Sequence, residues 1–215
     1  MRKLLAGLFV VLWSAAGPAA AQEQTPDQLV RTQTDRILEL IRANRDEYKR
    51  DTRKLYAMVD KEVLPYFDFR AMSRSVLGRN WNNASEEQRE RFVKEFRDLL
   101  VRTYATALLK YNNEEIRYLP FRHNPGDRTA VVRTEVVQSG GGPNIPINYS
   151  FFRSKDGWKV YDVAIENSSL VITYRGTYAD RIRKQGLDGL IASLAEANRR
   201  GEVGETAPAP GAGKK

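Results

Sequence analysis

The sequence contains no cysteine and a single histidine, and both scarcities limit the chemistry that the protein can perform. Without cysteine there can be no disulfide, no thiolate metal ligand and no thiol nucleophile. His123 lies beside a turn, where a surface position is expected. No G-x-S-x-G, H-E-x-x-H or P-loop motif is present. The sequence therefore predicts no catalytic residues, no metal site and no cofactor.

Long apolar runs are also missing, except near the beginning of the chain. Arg2 and Lys3 precede an apolar run over residues 4–13, and residues 19–21 are three alanines. This order is typical of a secretory signal peptide, predicted here over residues 1–21, and the run is too short to span a bilayer comfortably. Without a cysteine, no lipid can be attached at the cleavage site by a thioether. The mature protein is therefore expected to be soluble in an exported compartment.

The length and net charge of the remaining chain predict a single basic domain. Removal of 21 residues from 215 leaves 194, enough for one domain with a substantial core, predicted over residues 22–200. Loss of two basic residues with the signal peptide lowers the formal net charge from +8 to +6. This charge suits anionic lipid surfaces or acidic partner proteins, or it only keeps the protein soluble; nucleic acid is not an expected partner. Residues 201–215, rich in Gly, Pro and Ala, are predicted to form a disordered tail.

Helical periodicity occupies the first half of the domain. Apolar spacing predicts one helix over residues 27–44, with Asp27 as its N-cap, and a second over residues 45–64. A short helix is predicted between a capping Asp68 and a glycine stop at Gly78.

The clearest helix is predicted over residues 86–111. Residues 85–88 have the S-x-x-Q form of a capping box. The apolar face of this helix is wide and partly aromatic, which suits either a central core helix or a helix that lines an open space.

Period-two alternation replaces the helical period after Asn113. Four strands are predicted at residues 116–120, 129–137, 145–153 and 157–165. Their links are short and of turn type, so the strands are expected to form an antiparallel meander. One face of this sheet is apolar and must be covered by helices, which predicts an α+β domain.

The last of these strands runs directly into a helix. Strict alternation along the strand places Tyr161, Val163 and Ile165 on one face. From Leu170 onward, large apolar residues recur every four positions, as on one stripe of a helix. Such a corner can close one end of a cavity, or it can pack as ordinary core.

Large apolar side chains of the sheet, the long helix and this corner must therefore converge. The residue pattern alone does not distinguish a filled core from a core with a hole for an apolar ligand. If there is such a hole, the residues predicted to line it are Phe92, Phe96, Leu100, Tyr104, Tyr149, Phe151, Tyr161, Val163, Ile165, Leu170 and Tyr174.

Four stretches in order resemble a known family: FDFRAMSRSVLGRNW (67–81), the long helix, GWKVYDVAIENSSLVITYR (157–175) and GLDGLIASL (186–194). Together they resemble MlaC, the toluene-tolerance family of periplasmic phospholipid-binding proteins, over about residues 27–200. One departure is Asn167, where the family usually has glycine. Asparagine is the next residue to accept a left-handed backbone, so such a conformation is predicted there.

The resemblance implies both a fold and a role. The fold would be helices packed on a curved four-stranded antiparallel sheet, NTF2-like, enclosing an apolar cavity for phospholipid acyl chains, with the head group outside. The protein would be a monomeric periplasmic carrier that shuttles lipids between an outer-membrane lipoprotein–porin complex and an inner-membrane ABC transporter with an MCE-domain protein. Phospholipid would be its cargo, and no cofactor is implied.

Two other functions fit parts of the pattern. An enzyme built on an NTF2-like cavity could use Asp162 as an acid or base, although a hydroxyl or a backbone amide can equally explain a carboxylate in that strand. A periplasmic chaperone could hold unfolded apolar segments. Bound phospholipid, substrate turnover and binding of unfolded polypeptide would distinguish the three functions.

Overall fold

The computed structural model of the protein describes residues 24–124, 126–138 and 140–202. The predicted signal peptide and the predicted tail from residue 203 onward lie outside these residues. In the described part of the chain the order is helices, then a sheet, then a helical end, which confirms the α+β prediction.

The described residues form six α-helices, one 3₁₀ turn and five strands. The helices are α1 (Pro26–Arg50), α2 (Thr52–Glu62), α3 (Phe69–Leu77), α4 (Arg79–Asn83), α5 (Glu86–Leu108) and α6 (Leu170–Arg200), with a 3₁₀ turn at Leu64–Tyr66. The strands are β1 (Glu115–Tyr118), β2 (Thr129–Val137), β3 (Ile145–Ser154), β4 (Gly157–Ile165) and β5 (Ser168–Ser169). None of these helices is both long and apolar enough to cross a membrane.

Helix α1 begins at a different capping residue from the one predicted. Thr25 is the N-cap: its backbone N–H donates to the Gln28 side chain (3.2 Å), and its hydroxyl donates to the Asp27 carboxylate (2.6 Å). Asp27 therefore lies in the first turn, where a negative charge also stabilises a helix. Pro26 follows the cap directly, a position that needs no N–H donor.

The first two predicted helices meet at a kink rather than at a break. Asn44 has non-helical dihedrals (φ −123°, ψ 17°), and its side chain donates to the Leu40 carbonyl (3.0 Å). The helix nevertheless continues to Arg50. The true boundary is Asp51, whose carboxylate accepts from the Arg53 N–H (3.1 Å) and caps α2.

The other helix starts in the first half of the chain are confirmed. The Asp68 carboxylate accepts from the Ala71 N–H (2.8 Å) at the start of α3. Ser85 and Gln88 form the predicted capping box of α5, with the two side chains and N–H groups paired at 3.1 and 3.0 Å. Helix α5 ends at Leu108, three residues earlier than predicted.

The sheet is an antiparallel meander in the order β1-β2-β3-β4-β5. Strands β2 and β4 have the predicted bounds. The prediction of four strands is wrong by one, because Ser168 and Ser169 pair with Ile165 and Ala164. A strand of two residues has no periodicity that a sequence pattern could show.

A β-bulge at Tyr161 interrupts the pairing of β3 and β4. Asp162 pairs with Ser150, but the next residue of β3, Phe151, pairs with Val160. Tyr161 is therefore an extra residue, and the side-chain alternation of β4 reverses there.

The bulge changes which side chains of β4 face the helices. Strict alternation put Val160 and Val163 on opposite faces, whereas both lie on the buried face. Tyr161 lies on the other face, where its ring meets Phe152 edge-on with centroids 6.1 Å apart. The predicted face of Tyr161 is thus wrong.

The turn from β4 into α6 has the predicted left-handed backbone. Asn167 has φ 64° and Glu166 has φ 51°. The Ser169 hydroxyl accepts from the Ile172 N–H (3.1 Å) and so caps α6. Further along, the non-helical backbone of Gly186 (φ 74°, ψ 173°) divides α6 into two helical segments that meet at a kink.

Helix α5 packs against α2, α3 and α6. Its first half belongs to the hydrophobic cluster that includes the sheet, whereas Ala105 belongs to a second cluster with α1 and α2. The second half of the helix, however, faces the sheet across an open space.

Candidate functional site

A cavity of about 600 Å³ lies between the helices and the sheet. Its walls come from the first half of α1, the segment between α2 and α3, the second half of α5, and strands β1 to β4. Most of the lining side chains are aliphatic or aromatic. The volume falls within the range of about 300–1,000 Å³ that is typical of small-molecule sites.

Seven of the eleven residues predicted to line a cavity do so. Helix α5 contributes two of them, strands β3 and β4 contribute four, and the first residue of α6 contributes one. They are Leu100, Tyr104, Tyr149, Phe151, Val163, Ile165 and Leu170.

Phe92, Phe96 and Tyr174 do not line the cavity; they join α5 to α6. Phe92 and Phe96 are fully buried and stack with centroids 5.6 Å apart. The Phe96 ring meets Tyr174 edge-on at 5.2 Å, and Phe92 meets Tyr178 at 6.0 Å. The wide apolar face of α5 therefore consists of two stripes, one packed on α6 and one turned to the cavity.

The fourth residue outside the cavity is Tyr161, which the bulge turns to the other face of the sheet. Val160 lines the cavity in its place. The sequence held a signal for this exchange, since Val160 and Val163 are three residues apart rather than two. A three-residue step between buried strand residues indicates one inserted residue.

The third wall of the cavity is not the one predicted. The helix after the sheet was expected to close it, but α6 contributes only Leu170. Instead, α1, the segment before α3 and the first turn of α3 close it, with Leu29, Val30, Gln33, Thr34, Ile37, Leu38, Val63, Leu64, Tyr66, Phe67, Phe69 and Met72. The group of three aromatics at residues 66–69 was the available signal for this wall.

Polar residues of the lining concentrate at one end. The link after α5 and the link after β2 lie side by side there, because Glu115 pairs with Val137. These two links supply Lys110, Tyr111, Glu114, Gln138 and Gly140. At the opposite end Phe151, Val160 and Met72 form an apolar floor, so the cavity is amphipathic along its length.

The tyrosines in and behind the walls are neutral at ordinary pH. Burial raises the pKa of Tyr149 and of Tyr174 to about 12, and it also raises the pKa of Tyr104. The Tyr104 and Tyr174 hydroxyls interact with each other, in a geometry outside that of a regular hydrogen bond. These tyrosines therefore present no negative charge to an apolar ligand.

The two residues considered for catalysis lie outside the cavity lining. The Asp162 carboxylate accepts from the Ser169 hydroxyl (2.6 Å) and the Val171 N–H (3.1 Å), at the positive end of the α6 dipole. The His123 ring packs edge-on against Trp158, with centroids 5.2 Å apart. In the part of the chain that the structure describes, no three His, Asp or Glu side chains are grouped to hold a metal ion.

Comparisons with known proteins agree on one family. The model of the MlaC protein family matches residues 31–196. The intermembrane phospholipid transport system binding protein MlaC of Haemophilus influenzae is 30% identical over 181 residues, covering 83% of this chain and 84% of its own. The toluene tolerance protein ttg2D of Pseudomonas putida is 28% identical over 201 residues, covering 90% of this chain and 92% of its own.

A solved structure shares the fold. It is a phospholipid-binding protein from Ralstonia solanacearum in complex with a phospholipid, with a TM-score of 0.76 and 34% sequence identity. The similarity covers 83% of this chain and 99% of that one.

Proposed function

The chain belongs to the MlaC protein family, and from that premise we propose that it is a periplasmic carrier that moves phospholipids between two membranes. The observation that carries the proposal is the apolar cavity of about 600 Å³, in a fold shared with a protein solved in complex with a phospholipid. The acyl chains occupy this cavity, and the head group stays outside it.

The energetics of lipid transfer explain the need for such a cavity. Moving one methylene group from a membrane into water costs about 0.8 kcal/mol, so a single long acyl chain costs on the order of 10 kcal/mol. Free crossing of an aqueous gap is therefore very slow. A protein wall of aliphatic and aromatic side chains replaces most of the lost bilayer contacts.

The acyl chains contact the seven predicted lining residues together with Val160 and the wall formed by α1. Phe92, Phe96 and Tyr174 act indirectly, because they fix the position of α5 and hence the width of the cavity. We also propose that this fold is NTF2-like.

The partners in this proposal are two membrane complexes. One is an outer-membrane lipoprotein–porin complex, and the other is an inner-membrane ABC transporter with an MCE-domain protein. The Haemophilus influenzae relative is named as a binding protein of an intermembrane phospholipid transport system, which supports a role between such complexes. The carrier acts as a monomer, without a cofactor.

Transfer of labelled phospholipid between donor and acceptor vesicles tests the proposal. The protein is expected to raise the transfer rate in proportion to its concentration. Vesicles alone, and vesicles with a non-binding protein of similar charge, give the background rate. A transfer rate equal to that background would contradict the carrier function.

Substitution of Asp162 tests the absence of catalysis. Asp162→Asn is expected to lower the free energy of unfolding by about 1–3 kcal/mol, because it weakens the charged cap of α6. Bound lipid is expected to stay unchanged, since Asp162 lies outside the cavity. Asp156→Asn, at an exposed turn, is the control and should leave the melting temperature unchanged. Loss of a hydrolytic activity in Asp162→Asn, with unchanged stability, would overturn the proposal.

A further inference from the structure

Positively charged side chains lie at the polar end of the cavity, where contact with an apolar ligand does not require them. Lys110 lines this end, is exposed, and has no ion-pair partner among the residues that the structure describes. The next residue, Tyr111, also lines the cavity. Its backbone carbonyl accepts a hydrogen bond from the Arg45 guanidinium.

A second arginine, Arg42, precedes Arg45 by three residues on α1, and both arginines line the same small cavity. Burial raises the pKa of Tyr111, and the positive charge of Arg42 opposes that rise. Arg42 is exposed and has no ion-pair partner in residues 24–202 as described. Arg42, Arg45 and Lys110, called here the mouth cluster, therefore surround Tyr111.

The kink of α1 opens a space beside the mouth cluster. A second cavity of about 240 Å³ is lined by residues 42–47 and Arg50, and the hydrogen bond from Arg45 to Tyr111 links its wall to the wall of the large cavity. Two carboxylates also line this second cavity, Asp46 and Glu47, but Glu47 is paired with Lys54.

The remaining carboxylate at this end is Glu114. It accepts a hydrogen bond from the Asn112 N–H (2.5 Å) within its own loop. The three cations of the mouth cluster thus exceed the unpaired carboxylates around them. A flexible lysine and two guanidinium groups are the side chains that proteins use to bind phosphate.

We propose that the mouth cluster binds the phosphate group of the phospholipid cargo, an assignment that rests on the carrier function proposed above. The acyl chains then extend from this end along β3 toward Phe151. From Ile145 to Phe151 that path is about 20 Å, at a rise of about 3.3 Å per residue. The site recognises the phosphate that all phospholipids share and leaves the alcohol of the head group in solvent.

The test compares two lipids that carry a phosphate group with one that lacks it. Delipidated mature protein is loaded with phosphatidylglycerol, phosphatidylethanolamine or diacylglycerol of identical acyl chains, and retention is measured by native mass spectrometry. The wild-type protein is expected to retain both phospholipids about tenfold better than diacylglycerol. A factor of about ten is what one charge-assisted hydrogen bond to the phosphate contributes to affinity. Arg42→Glu combined with Lys110→Glu is expected to abolish that preference and to leave diacylglycerol retention unchanged.

Two controls fix the interpretation of this test. Lys155→Glu, in the exposed turn between β3 and β4, makes one charge reversal away from the mouth and should keep the wild-type preference. Retained diacylglycerol shows that the double variant is folded. Inorganic phosphate in large excess should not displace the phospholipids, because it lacks the acyl chains.

The outcomes separate the two proposals. Equal retention of phospholipid and diacylglycerol by the wild-type protein would overturn the phosphate site and leave the carrier function intact. Failure of the wild-type protein to retain any of the three lipids would refute the carrier function itself. Displacement by inorganic phosphate would show a site for the free anion and would equally overturn its assignment to the cargo.

Discussion

Val163→Trp is expected to abolish binding of phospholipid while the protein stays folded. Val163 lies in the middle of β4, paired with Tyr149, and both side chains line the cavity. An indole at this position extends into the space proposed for the acyl chains. Because the space is open in the absence of ligand, the indole finds room without displacing the backbone.

The alternative of a filled core makes the opposite prediction for this variant. Overpacking a filled core costs about 1–3 kcal/mol and shifts the backbone. Val131→Trp is the matched control, since Val131 lies on the other face of the same sheet and is 40% exposed. Bound lipid and melting temperature are measured for both variants. Strong destabilisation of Val163→Trp, in a protein that never carried lipid, would contradict the account.

Phe96→Ala is expected to destabilise the protein severely. Phe96 is fully buried, and its ring contacts Phe92, Tyr174 and Tyr178, with centroids 5.6, 5.2 and 6.1 Å away. Removal of such a ring from a close-packed site costs about 3–5 kcal/mol and lowers the melting temperature by roughly 6–20 °C in a domain of this size. The loss arises between α5 and α6, away from the cavity.

Phe152→Ala is the matched control for this substitution. Phe152 is half-buried on the outer face of the sheet, beside Tyr161, so a much smaller loss of stability is expected. Thermal and urea unfolding measure both variants. If Phe96→Ala cost no more than Phe152→Ala, then Phe96 would not belong to a close-packed core, and the division of the α5 face into two stripes would be wrong.

The features that the sequence predicted correctly are those encoded within a few residues. Asp68 and Ser85 cap helices because their side chains reach an N–H three positions away. The bounds of β2 and β4 follow from turn residues on either side. Asn167 adopts its left-handed backbone because no other residue except glycine accepts that conformation as easily.

The features that the sequence did not predict depend on contacts between distant elements. Phe92 and Leu100 lie on the same wide apolar face, and only the position of α6 decides that one enters a core and the other a cavity wall. The wall formed by α1 depends in the same way on how that helix crosses the sheet. The bulge at Tyr161 lies between these two classes of feature. The three-residue spacing of Val160 and Val163 indicated it locally, but the assumption of strict alternation along the strand concealed it.

The central claim is that phospholipid acyl chains fill the cavity between α1, α5 and the sheet. Native mass spectrometry of freshly purified mature protein, followed by lipid extraction, tests it most directly. The account predicts a mass above that of the polypeptide by whole phospholipid molecules in stoichiometric amount, and extraction that recovers those lipids. A wild-type protein that shows only the polypeptide mass, even after incubation with phospholipid vesicles, would contradict it.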